Sequence, residues 1–143
     1  MKKIIPISII TLIIDIISKQ LVINFMLEHQ SITIIKNFFY ITFAQNTGVA
    51  FSALEGKVPL IIIVTSIIII LILKYIKSTN PNKSEIICYG LIIGGAIGNL
   101  IDRIIYGYVI DFLDFNIFGY NFAIFKGCCL SNLTWCCGCL KCL

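Results

Sequence analysis

The sequence predicts an α-helical integral membrane protein, a single small bundle with three transmembrane helices and a short β-rich piece at its outer surface. Composition is the first reason: 59% of the 143 residues are hydrophobic and 13% are charged, with a mean hydropathy of +1.00. A soluble domain carries about twice that charged fraction. The second is that three apolar runs each reach the roughly 20 residues a helix needs to cross a bilayer. The third is a segment between the first two runs that alternates and is rich in β-branched and aromatic residues.

The first span is expected over residues Ile4 to Ile23. Lys2 and Lys3 ahead of it imitate a signal peptide. The run nevertheless contains Asp15 and Lys19 and has no small-residue cleavage site, so it reads as a retained helix. After it, Ser31 to Ile35 and Phe38 to Ala44 read as two short strands. Gln45, Asn46, Thr47 and Gly48 then form a turn-prone quartet, and the whole β-rich segment runs to Ser52. The second span is expected over Val58 to Ile76, a polar connection with Pro81 over Ser78 to Lys83, and the third span over Ile86 to Tyr106.

Lysines set the orientation. Lys2 and Lys3 precede the first span, and Lys74, Lys77 and Lys83 lie between the second and third, so both places face the cytoplasm by the positive-inside rule. The N-terminus is then inside and the β-rich segment outside. Asp15 and Lys19 fall in the outer half of the first span, and Asn99, Asp102, Arg103 and Asp111 at the outer end of the third or just beyond it. Separate pieces of chain deliver polar groups to one membrane face, where ionisable side chains cost several kcal/mol and are usually functional.

Each group also has a plainer reading. Gly90, Gly94 and Gly98 recur every four residues, which suits close helix packing. Asp15 with Lys19 is a possible i,i+4 pair, and Asp102 with Arg103 a possible interfacial ion pair. Asp111, within VIDFLDF, is flanked by apolar residues on both sides and suits acid–base work, whereas Asp114 reads as a surface carboxylate. The single His29 has no partner at metal-ligand spacing, and no histidine lies where a serine or cysteine nucleophile would need it.

Four motifs in this order resemble the lipoprotein signal peptidase family, also called signal peptidase II. They are Asp15 and Lys19 in LIIDIISKQ, QNTGVAFS from Gln45, GGAIGNLIDR from Gly94 and GYVIDF from Gly107. The resemblance implies a multi-pass enzyme of the bacterial cytoplasmic membrane. It would be an aspartic endopeptidase that removes signal peptides from diacylglyceryl-modified prolipoproteins at the outer face, with membrane lipid as its other partner. No cofactor and no nucleic acid are expected. Asp111 matches the family's first catalytic aspartate. Asp15, Lys19, Asn46, Gly48, Asn99, Asp102 and Arg103 match positions that bind substrate or support the site.

The resemblance covers residues 1–125. The family continues into a Phe-Asn-x-Ala-Asp box that opens a fourth helix and supplies the second catalytic aspartate. Here Phe125 is followed by KGCCLSNLTWCCGCLKCL, which puts Lys126 at the asparagine and Cys129 at the aspartate. Six of the seven cysteines lie in this segment, whose polar residues do not suit a membrane span. So abrupt a change of composition reads as a changed reading frame. A zinc site of Cys136, Cys139 and Cys142 lacks the usual paired spacing, and acylation of juxtamembrane cysteines is the remaining option. The expectation is a peptidase by descent with a weakened or absent activity. The alternative is a non-catalytic membrane protein that keeps the prolipoprotein-binding groove.

Overall fold

The computed structural model describes residues 3–48, 56–79, 81–117 and 120–122. Residue 129 and the rest of the cysteine-rich segment lie outside the described residues, as do 49–52 of the predicted β-rich stretch. Three helices are long and apolar enough to cross a membrane: α1 (Ile4–Phe25), α2 (Val58–Ser78) and α3 (Lys83–Ile105). Four strands, β1 (Ser31–Ile35), β2 (Phe39–Asn46), β3 (Val109–Ile117) and β4 (Tyr120–Phe122), form one antiparallel sheet in the order β1-β2-β3-β4.

The helices fall where the apolar runs predict, with ends set by local chemistry. Pro59 sits in the first turn of α2, where its missing N–H is no loss. α3 begins three residues before the expected Ile86 because Asn82 and Glu85 make a capping box. Asn82 Oδ1 accepts from the Glu85 N–H at 2.9 Å, and Glu85 Oε2 accepts from the Asn82 N–H at 2.8 Å. These bonds satisfy two amides that the helix leaves open.

Most of the helix surface is apolar and exposed, Ile14, Ile63 and Leu71 among it, as lipid contact requires. Lipid is as apolar as isoleucine, so the hydrophobic effect does not hold such helices together; close packing and polar bonds must. α1 accordingly lies tightly along α3. A Cβ added to Gly94 would stand 2.6 Å from the Ser8 carbonyl oxygen and 2.7 Å from Thr11 Cβ. Gly94→Ala is therefore expected to cost about 1–3 kcal/mol by forcing the helices apart. Thermal unfolding in detergent measures this, and an unchanged midpoint would refute the close approach.

Two buried apolar clusters pin the ends of the bundle. Ile4, Ile76 and Ile93 join all three helices at one end. Val22, Met26, Phe43 and Ile110 join the end of α1 to the sheet at the other.

β1 lies where the sequence predicts it, whereas β2 begins one residue after the expected Phe38 and runs past the expected end at Ala44. Gln45 and Asn46 belong to β2, opposite Ile110 and Val109. β3 and β4 were not expected. β3 pairs with β2 because Val109-Ile110-Asp111-Phe112-Leu113 is a β-branched and aromatic run released from α3 at Gly107, whose φ of +80° turns the chain. Between Ile41 and Ala44 the β2 strand carries one extra residue relative to β3, a bulge that re-aims the residues beyond it.

Candidate active site

The polar groups gather where the C-terminal ends of α1 and α3 meet the sheet. Lys19 is 1% exposed. Its Nζ lies 2.6 Å from Asp15 Oδ2, 2.9 Å from Asn99 Oδ1 and 2.8 Å from Asp102 Oδ2. An ammonium has three protons to donate, and three acceptors from two helices stand around this one. The cation between the two carboxylates is thus part of the chain. Gly98 makes room for the arrangement, since a Cβ there would collide with the Asp15 carboxylate.

The plainer reading of Asp15 with Lys19 is thereby enlarged, and Asp102 takes Lys19 as its partner. Asp15 and Lys19 do pair at i,i+4, but the same ammonium also bridges to α3. Asp102 bonds Lys19 across the helix interface, and its Oδ2 also stands 3.4 Å from the Ile110 N–H in β3.

Asp111 is 1% exposed and sits opposite Ala44. Asn46 Nδ2 donates to Asp111 Oδ2 at 2.8 Å. The other end of that amide, Asn46 Oδ1, accepts from the Gly48 N–H at 2.9 Å. Gly48 is tied in turn to α3, where Arg103 Nη2 donates to its carbonyl at 2.8 Å. Arg103 Nη1 is 3.4 Å from the Asn99 carbonyl. The consecutive pair Asp102 and Arg103 thus reaches both strands that carry the site, β3 through Ile110 and the end of β2 through Gly48.

All eight described residues singled out from the sequence, Asp15, Lys19, Asn46, Gly48, Asn99, Asp102, Arg103 and Asp111, take part in this connected arrangement. Asp114 differs from its expected surface role. It is partly buried, and Thr42 Oγ1 donates to its Oδ2 at 3.2 Å while lying 2.9 Å from Ser31 Oγ. VIDFLDF does not alternate with period two, so the sequence alone carries no clear signal for Asp114; its place opposite Tyr40 comes from the pairing of β3 with β2.

The family model described as signal peptidase (SPase) II matches residues 7–134. The chain belongs to the signal peptidase II family. A lipoprotein signal peptidase of Halothermothrix orenii is 45% identical over 108 residues, 76% of this chain and 74% of that protein. One from Staphylococcus haemolyticus is 42% identical over 121 residues, 84% of this chain and 77% of that protein. A solved bacterial membrane enzyme superposes with a TM-score of 0.86 at 34% identity, covering 99% of this chain and 89% of its own. Signal peptidase II is a family of aspartic peptidases, and with three spanning-length helices its member here is a protein of the bacterial inner membrane.

Proposed function

We propose that this chain is a lipoprotein signal peptidase by descent, an endopeptidase acting on diacylglyceryl-modified prolipoproteins, with Asp111 as its first catalytic carboxylate. The burial of Asp111 against Asn46, beside the cluster built on Lys19, carries the reading. In the two-carboxylate mechanism, paired aspartates share one proton because both cannot stay ionised at close range. One takes a proton from water as the water oxygen bonds to the scissile carbonyl carbon, and the other protonates the carbonyl oxygen. Asp15, Lys19, Asn46, Gly48, Asn99, Asp102 and Arg103 brace the site or meet the substrate. The lysines at the end of α2, at the start of α3 and at the N-terminus support a cytoplasmic N-terminus and a site on the outer face.

We assign residues 1–125 to the family's membrane unit and 126–143 to a cysteine-rich tail whose first residues still fall within the family match. With Cys129 at the place of the second aspartate, the chain as it stands cuts far more slowly than a two-carboxylate enzyme. That same Cys129 favours a second reading, a non-catalytic membrane protein that retains the prolipoprotein groove.

The deciding experiment is cleavage of a diacylglyceryl-modified prolipoprotein by the purified chain in lipid, with Asp111→Asn beside it. Slow cleavage that disappears in Asp111→Asn is the expected result. Equal cleavage by both would remove Asp111 from the mechanism, and none from either, with the prolipoprotein still bound, would establish the second reading.

A further inference from the structure

The two oxygens of a catalytic carboxylate are not equivalent once one of them is held by a fixed donor. Here the donor is the Asn46 amide, and an asparagine side chain has one donating end and one accepting end. Which end meets Asp111 depends on what the other end meets. Asn46 Oδ1 takes the Gly48 N–H at 2.9 Å, so Nδ2 is the end that faces Asp111. Turning the amide over would break the Gly48 bond, set its NH2 against an N–H donor and place an oxygen against the carboxylate. Gly48 cannot readily swing away to permit this, because its carbonyl is held at 2.8 Å by Arg103, a residue of α3 that is 8% exposed.

We propose that Arg103 is a positioning residue that acts on Asp111 through Gly48 and Asn46, fixing Asp111 Oδ2 as the acceptor of the Asn46 amide. The inference deepens the assignment of Asp111 and rests on it for its catalytic meaning. The relay itself is a matter of geometry. The Asn46 donor holds the orientation of the Asp111 carboxyl group, and an ionised carboxylate is the better acceptor for it. A guanidinium suits the task because it is always charged and spreads its donors in a planar fork. One arm reaches Gly48 while another lies toward the Asn99 carbonyl.

Hydrogen exchange by NMR tests the relay on the full chain, labelled with nitrogen-15 in lipid nanodiscs, without any cleavage step. The Gly48 amide and the Asn46 side-chain NH2 should exchange about tenfold or more slowly than two exposed references, the Gly56 amide and the Asn37 side chain. Arg103→Gln should remove the protection at both sites while the Ile93 amide in α3 stays protected. Arg103→Lys should restore part of it, since an ammonium can make one of the bonds. Asp111→Asn should leave Gly48 protected, because Gly48 lies between Arg103 and Asn46.

Gly48 exchanging as fast as Gly56 in the unaltered chain would overturn the proposal, and this comparison stands even where a variant fails to fold. Full protection of Gly48 and Asn46 in folded Arg103→Gln would overturn it too. Failure of the peptidase assignment would instead appear in the cleavage experiment, with these exchange rates unaffected.

Discussion

Replacing Lys19 by methionine is expected to cost about 3–5 kcal/mol of stability, the usual penalty for stripping one partner from a buried ion pair. The side chain keeps its length and loses its charge. What remains is a pair of carboxylates, Asp15 and Asp102, which the same ammonium had held at 2.6 and 2.8 Å, together with an Asn99 oxygen that has lost its donor. Adding Asp15→Asn to Lys19→Met removes one of the uncompensated charges and should recover part of the loss. Thermal unfolding of the two variants in detergent reads the effect, and a Lys19→Met midpoint equal to that of the unaltered chain would show that the ammonium does not hold α1 to α3. The loss should extend to the sheet, because Asp102 also faces the Ile110 N–H next to Asp111.

How far this arrangement could be read in advance depends on the range of each interaction. The helices were legible because a membrane span is a local property: about 20 apolar residues in a row suffice. Topology then brings the polar groups to one end: α1 and α3 run in the same direction, with α2 returning between them, and Asp15, Lys19 and the Asn99-to-Asp111 group all fall in the C-terminal halves of those two helices or just beyond. The capping box at Asn82 and Glu85 is equally local, and it starts α3 three residues ahead of the apolar run at Ile86. β3 is a different case. Its partner β2 lies about 70 residues away in sequence, with two membrane helices between them, and VIDFLDF alone does not announce a strand that must find a distant edge. The joint use of one ammonium by three acceptors was illegible for the same reason. An i,i+4 spacing shows that Asp15 can meet Lys19, but the crossing of α1 over α3 at Gly94 and Gly98 is what brings Asn99 and Asp102 to the same nitrogen.

Rebuilding the family's second carboxylate should raise cleavage by about 10²–10⁴-fold, the range a positioned acid or base contributes. The change is Lys126→Asn, Cys128→Ala and Cys129→Asp, followed by an apolar stretch of about 20 residues in place of the cysteine-rich tail. The apolar stretch matters because an aspartate at the membrane face needs a helix to hold it at a fixed distance from Asp111. Asp111 is already in place, buried on β3 with Asn46 at one oxygen, so the graft supplies the partner without rebuilding the site. Initial rates on a diacylglyceryl-modified prolipoprotein measure the gain, and Asp111→Asn in the grafted chain should erase it, because two carboxylates sharing a proton act as a unit. A graft that folds, binds the prolipoprotein and cuts no faster would mean that the residue at Cys129 does not limit cleavage. A gain that survives Asp111→Asn would mean that the new aspartate works with a different carboxylate, and Asp102 and Asp114 would then be the residues to replace next.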